Sequence, residues 1–537
     1  MQMLKAGRRA TWLAGMVVMA AMCVATPGWC VDSTNTTDPL LDLFIKKGFV
    51  TQEEAEKVQA EADFNRTNGL TGSAPMPSQW KISDGVKKVE LFGDVRLRYE
   101  SRSATDPNNG SIDLNRLRYS VRFGLRGEAF DDFYYGFRIE TSSNPRSSWG
   151  TFGSSSSGPF GKSTAGINVG QAYLGWRPEE WVDVTLGKMP NPLYTTPMVW
   201  SSSLNPEGAV ERFKYTVGEA DFFANLGQFI YQDTNPTKTA NGYFDTLTVN
   251  STGLPFLLAW QGGVNFHLAK RVTLKVAPVL YEYTAFNNGQ TLPVNGTKYS
   301  PGFAGTFVGQ GQTFGNNATH GVAYNLAGTT PGFDGFYANE TGINDLLVLE
   351  IPVELNIKLE KLNLRFFGDY AHNFQGADRA NAAYATAHSD YFTASTGGGA
   401  QAISQISSPQ THDVNAYQIG FGIGSTNLVY GPSQGLVYGT SSRKGAWELR
   451  TYWQHVEQYS LDPNLIDSDF FEGRENLEGV YAAFAYAFSD NIIGAVRYGY
   501  ASRINNQLGT GGSNPDIPQL NPINNFSIFQ VDLGFRF

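Results

Sequence analysis

From residue 89 to the C-terminus, apolar and polar residues alternate in steps of two, the period of a β-strand with one oily and one wet face. The pattern is cleanest at 343–359, where Leu347, Leu349, Ile351, Val353, Leu355, Ile357 and Leu359 interleave with Glu350, Pro352, Glu354, Asn356, Lys358 and Glu360. Sixteen such segments are predicted, near 88–100, 115–128, 132–142, 166–177, 181–188, 209–218, 220–231, 256–268, 271–285, 343–359, 361–374, 413–425, 445–457, 475–488, 491–503 and 526–537. The seventh and eighth mix the two faces. Short turns at 130–132, 178–180, 218–219, 269–270, 360–361 and 489–491 alternate with long Gly-, Asn-, Ser- and Thr-rich connections, the longest at 286–342. Short turns on one side and long external loops on the other are the layout of a membrane barrel. The expected fold is therefore all-β, a transmembrane antiparallel β-barrel of sixteen strands with both ends in the periplasm. One connection departs from it. Where a tight turn is due, 426–444 is 19 residues long, and its LVYG repeats at 428–431 and 436–439 form an extra hairpin on the alternative reading of eighteen strands.

The last twelve residues read FSIFQVDLGFRF. Phe529, Val531, Leu533, Phe535 and Phe537 form one apolar row, opposite Gln530, Asp532, Gly534 and Arg536. A closing strand that ends on an aromatic residue resembles the C-terminal signal read by the bacterial barrel-assembly machinery, and that resemblance puts Phe537 at the periplasmic rim. A terminal strand of a soluble sandwich is the competing reading.

At the other end, Lys5, Arg8 and Arg9 precede an apolar run at 10–25, the charged start and short greasy core of a secretory signal peptide. The run is too short for a membrane anchor. Cleavage after Ala25 or after Cys30 both fit. Cys23 and Cys30 are the only cysteines, so the exported chain keeps one at most and no internal disulfide forms. Asp38 with Pro39, and Thr51 with Glu54, read as starts of two short helices, the second with a capping box. The expected organisation is signal peptide 1–30, a periplasmic helical leader and linker 31–87, and an outer-membrane barrel 88–537. The leader is either a passive spacer or an oligomerisation or tethering element.

Composition fits this picture. Thirteen per cent of residues are aromatic, 59 are glycine and only 17% are charged, which suits a lipid-facing surface with aromatic girdles and long loops. Mean hydropathy is −0.28 and no second long apolar stretch occurs, which excludes a helical membrane protein. A net charge of −9 argues against a nucleic-acid partner.

Several stretches are similar to the bacterial putative-porin family. They are LGKMPNPLYTTPMVWSSSLNPEG at 186–208, with Asn191-Pro192, Trp200, Leu204-Asn205 and Glu207-Gly208, then KGAWELRTYWQHVEQ, DSDF and YAAFAYAFSDNIIGAVRYGYAS. Ser201 and Ser203 stand where that family leads one to expect acidic residues. The resemblance covers the barrel and the leader, and it implies an outer-membrane porin of a Gram-negative bacterium that passes ions and small hydrophilic solutes. The alternatives are a substrate-specific channel and an envelope-tethering barrel. The implied partners are outer-membrane lipid, the assembly machinery, small solutes and, by analogy, two further copies in a homotrimer. No cofactor is implied.

A barrel of about sixteen strands encloses water, so its inward residues decide what passes. Strand alternation sets Asp94, Arg96, Arg98 and Glu100 inward on the first strand, Arg116, Arg118, Arg122 and Arg126 on the second, and Arg138 and Glu140 on the third. Arginine facing lipid costs roughly 2–4 kcal/mol near the midplane, so these seven arginines point into water as a basic ladder. The ladder reads either as an electrostatic filter or as a wall held rigid by pairing with Asp94, Glu100, Glu128 and Glu140. Glu350 and Glu354 face it from the far side, with Glu448 and Arg450 further round. By analogy with general diffusion porins, the third external loop, 189–208, folds into the pore and offers Glu207 as the acidic partner of the ladder. An ordinary surface loop is the other reading. Catalytic and metal signatures are lacking: His267, His320, His372, His388, His412 and His455 show no ligand spacing, and neither GxSxG nor HExxH occurs. Asp462, Asp467, Asp469 and Glu472 share a loop but not EF-hand spacing, and read as a solvated acidic loop rather than a calcium site.

Overall fold

The computed structural model describes residues 85–105, 110–130, 132–142, 147–153, 160–163, 165–231, 256–284, 313–314, 317–318, 346–381, 408–425, 443–510, 516–517 and 523–537. The signal peptide, the helical leader, most of the longest loop and the LVYG repeats expected from the sequence lie outside these residues.

Sixteen antiparallel strands close into a barrel. They are β1 Val86–Thr105, β2 Ser111–Ala129, β3 Phe133–Ser142, β4 Gly166–Glu179, β5 Val182–Lys188, β6 Glu207–Val217, β7 Ala220–Ile230, β8 Phe256–Ala269, β9 in two pieces (Val272–Val276 and Val279–Thr284), β10 Leu347–Lys358, β11 Leu362–Asn373, β12 Asn415–Ser425, β13 Trp447–Val456, β14 Leu477–Ala487, β15 Ile492–Arg503 and β16 Asn525–Arg536. Each pairs with its neighbours in sequence, and β16 pairs with β1 to complete the circle, Leu97 opposite Leu533 and Tyr99 opposite Val531. The eighteen-strand alternative is overturned, because β12 pairs directly with β13 over Ala416–Val456 to Gly424–Glu448 and leaves no place between them. The break in β9 falls at Ala277 and Pro278, opposite Pro352 of β10; a proline has no N–H to give to the ladder.

Alternation divides the two faces as the pattern implied. Leu91, Leu97, Leu117, Leu174, Leu186, Phe222, Phe366, Ile419, Val480 and Tyr498 are exposed on the outer face, while the polar residues between them turn inward and are largely covered. The C-terminal row, Phe529, Val531, Leu533, Phe535 and Phe537, lies on the outer face throughout. Phe537 is seated by the chain it closes on. Its backbone exchanges two hydrogen bonds of 3.1 Å with Gly93, and its ring occupies the space above that residue, where a Cβ would stand 2.6 Å from the ring.

The main apolar core is inside the barrel. The third long connection, 189–206, turns into the lumen, and its Met189, Leu193, Met198, Val199 and Trp200 are buried against Phe229, Leu257, Ala259, Val279 and Tyr281 of β7 to β9. This explains the mixed pattern of the seventh and eighth segments. Their outer residues face outward like the rest, but their inner face is apolar because it carries the inserted loop. Gly187 (φ 112°) and Gly208 (φ 151°) face each other across β5 and β6 at the two roots of that loop, in a backbone region that residues with a Cβ rarely adopt.

Candidate functional site

The inner side of β1 to β3 carries the arginine ladder, and its upper part is tied into a buried ionic network. Arg98, 2% exposed, donates from Nε and Nη2 to Asp532 of β16 at 2.7 and 3.0 Å and from Nη1 to Asp469 at 3.0 and 2.9 Å. Arg116 is held by Glu100 and, through two nitrogens, by Asp516 at 2.9 and 2.5 Å. Arg118 lies 3.7 Å from Glu100. Arg102, just beyond the strand predicted at 88–100, contacts Glu100, Glu472, Asp469 and Asp516 within 3.4 Å. Trp149, from the connection after β3, packs against three of the guanidinium groups, at 5.0 Å from Arg96, 4.2 Å from Arg98 and 5.8 Å from Arg118. Lower on the same wall Arg122 pairs with Asp94 at 2.6 Å and Arg138 with Glu140 at 2.9 Å, both largely covered, while Arg126 pairs with Glu90 at 2.6 Å and remains 53% exposed.

The far wall acts on the inserted loop rather than on the arginines. Tyr194 donates to Glu354 at 2.9 Å, Thr195 to Glu350 at 2.6 Å, and Thr196 to Asp369 of β11. Tyr281 also donates to Glu350, at 2.6 Å, and Arg365 pairs with Glu354 at 2.5 Å. Glu350 and Glu354 are thus buried anchors for the loop, not open lining. Glu207 is placed otherwise than expected. It pairs with Lys188 and shares the alternation row of the exposed Tyr215 and Val217, so it faces outward, away from the ladder.

The acidic loop between β13 and β14 is not solvated. The four carboxylates that the sequence grouped there go to separate partners: Asp462 accepts from Tyr231 and Tyr283, Asp467 from Ser201, Asp469 from Arg98, and Glu472 from Arg102 and Arg474. The same loop grips the third loop through its backbone, with Ser201 N donating to Leu465 O at 2.6 Å and Asp467 N to Pro197 O at 3.0 Å. Burial, reinforced by the nearby Asp469 charge, pushes the Asp467 carboxyl up to about 6. Burial works the same way on Asp469, but the Arg98 guanidinium overrides it and holds that carboxyl at about 2.

Three cavities follow the ladder. One of ≈440 Å³ lies between Arg96, Arg98, Arg122 and Arg138 and the third-loop residues Asn191, Ser203 and Asn205. A second, ≈360 Å³, shares Arg96, Arg122 and Arg138 with it and continues to Arg126 and Glu90. A third, also ≈360 Å³, shares Glu90 and Arg126 and opens among Lys88, Tyr134, Arg177 and Arg212. The ladder residues Arg96, Arg98, Arg122, Arg126 and Arg138, with Asp94, border these cavities. Arg116 and Arg118 sit above them in the ionic network. Arg177, Arg212 and Asp183 were missed in the sequence. Their signal was available in alternation, since they oppose the outward Trp176 and Phe213.

A family model described as "Putative porin" matches residues 104–537. No curated protein matches the chain. Among solved structures, the chain is similar to OmpF of Salmonella typhi in complex with daunomycin, at 9% identity over 85% of this chain and 99% of that one, with a TM-score of 0.40. It is also similar to the high-pH structure of OprB of Pseudomonas putida, at 10% identity over 84% of this chain and 94% of that one, with a TM-score of 0.43.

Proposed function

We propose that this chain, which belongs to the Putative porin family, is an outer-membrane porin that passes ions and small hydrophilic solutes along the β1–β3 side of its barrel. The observation that carries this reading is the succession of three cavities that share ladder arginines from the third loop down to the short-turn rim. A water-filled path bordered by cations on one side and by serine and asparagine side chains of an inserted loop on the other favours hydrated solutes, with anions ahead of cations. The pairs of Arg98, Arg102 and Arg116 stiffen the wall, and Arg122, Arg126 and Arg138, which line the lower cavity, supply its field. On this reading the ladder is a stiffened wall above and an electrostatic filter below.

The apolar outer belt supports membrane lipid as a partner, and the outward terminal row supports recognition by the barrel-assembly machinery of a Gram-negative bacterium. The charged, greasy N-terminus supports export by a signal peptide. A homotrimer is the assembly carried over from the resemblance. The test is single-channel recording in planar bilayers with a salt gradient. The expected result is an open, ohmic pore whose reversal potential moves toward cation preference when Arg122, Arg126 and Arg138 are replaced by Glu. Inserted protein that passes no current contradicts the reading.

A further inference from the structure

Four cations on the inner face share one construction. The Phe92 ring of β1 covers Gly124 of β2, where a Cβ would stand 2.6 Å from the ring, and the Arg126 guanidinium stands over that ring at 5.0 Å from its centre. Tyr134 of β3 covers Gly175 of β4, with Arg177 over it at 4.1 Å. Phe223 of β7 covers Gly263 of β8, with the Lys275 ammonium 5.1 Å from its centre and 3.6 Å from that of Tyr194. Phe367 of β11 covers Gly420 of β12, with Arg365 at 5.3 Å. At Gly175, Gly263 and Gly420 the hypothetical Cβ lies 1.9 to 2.2 Å from a ring carbon, so no residue other than glycine leaves the ring its place.

The four cations also share a level. Each is two or three residues from the short-turn end of its strand, counting from Ala129, Glu179, Val272 and Leu362. Carboxylates hold three of them from the edge, Glu90 on Arg126, Asp183 on Arg177 and Glu354 on Arg365. The ring holds each from its face. A long cationic side chain in a wide lumen otherwise samples many rotamers, and a face contact plus an edge contact leaves it one position.

We propose that these glycine-seated rings are pedestals and that three of them, Phe92, Tyr134 and Phe223, fix a collar of cations at the short-turn mouth and are positioning residues for anion preference, whereas Arg365, fully buried against Glu354, belongs to the wall. The inference rests on the porin reading and adds the device that keeps the lower field in place. A cation freed from its ring swings onto neighbouring carboxylates or into bulk water, and its field no longer acts on the path although its charge is unchanged.

The test removes rings and keeps charges: Phe92→Leu with Phe223→Leu, in planar bilayers under a potassium chloride gradient, with insertion checked by heat-modifiable migration. The anion-to-cation permeability ratio is expected to fall by roughly two- to five-fold, the scale of an exposed cation–ring contact, and to recover with Phe92→Tyr and Phe223→Tyr. Phe92→Leu alone carries the test if the double variant inserts poorly. A conducting variant with the wild-type ratio overturns the pedestal inference alone. Inserted wild-type protein that passes no current overturns the porin reading and the inference with it.

Discussion

Arg98→Gln is expected to loosen the acidic loop between β13 and β14 from the barrel wall. Arg98 is buried and makes four hydrogen bonds of 2.7 to 3.0 Å, two to Asp532 and two to Asp469. Removing one partner of a buried pair costs about 3–5 kcal/mol, mostly because a charge is left uncompensated. The two carboxylates do not lose equally. Asp532 keeps Arg497 at 2.7 Å, whereas Asp469 keeps Arg102 at 3.4 Å. About 2–3 kcal/mol is therefore expected to fall on the loop, a shift of roughly 30- to 150-fold in its equilibrium between held and released states. Amide hydrogen exchange reads this directly at Ser201 N and Asp467 N, the two donors that join the acidic loop to the third loop. Protection at both is expected to drop by that factor and to recover in large part when Asp469→Asn is added, because the orphaned charge is then gone. Unchanged exchange at both amides in Arg98→Gln refutes the argument that this ion pair holds the loop.

Deleting Phe537 is expected to cut the yield of heat-modifiable, membrane-inserted barrel at least several-fold, since it removes the ring over Gly93 and two closing hydrogen bonds; an unchanged yield means the closing strand does not depend on its last residue. Gly93→Val, which fills the space under that ring, is expected to lower the yield in the same assay, and wild-type yield there shows that the seat is not needed. The held loop is also expected to be pH-sensitive. Asp467 is raised to about 6, so its protonated form favours the held state: that contribution is full below the ordinary carboxylate range, near pH ~4, and is lost as pH rises through about 6. Asp469, held at about 2, acts in the opposite sense and only in stronger acid. A protection factor at Ser201 N that falls above that pH, and no longer does so in Asp467→Asn, is the expected record, and a protection factor constant between pH ~4.5 and ~7.5 contradicts it.

The strands were legible because a barrel wall meets lipid on one side and water on the other, which forces strict alternation at nearly every position. All sixteen segments appear where the pattern put them, and even the poor alternation of β7 and β8 has its cause in the third loop packed against their inner face. The ladder was legible for the same reason. Its partners were not. Asp469 and Asp516 come from loops hundreds of residues away, and nothing local in either loop states which wall it meets. Glu207 was misplaced by treating it as part of a loop; counted back from Val217, Tyr215 and Phe213 it belongs to the outward row of β6. Alternation puts Glu350 and Glu354 on the inner face, but it does not reveal that Tyr194, Thr195 and Thr196 cover them.

The claim that the conducting path runs between the arginine wall and the third loop is tested most directly by blocking it at one point. Ser203 borders the cavity beside Arg96, Arg98, Arg122 and Arg138, and Leu533 lies on the outer face. In a variant with Cys30→Ser, a cysteine is introduced by Ser203→Cys or by Leu533→Cys, and each inserted pore is treated with a bulky neutral thiol reagent during single-channel recording. The account predicts a stepwise loss of most of the current for Ser203→Cys and none for Leu533→Cys. Full current after complete modification at position 203 contradicts it and moves the path away from the ladder.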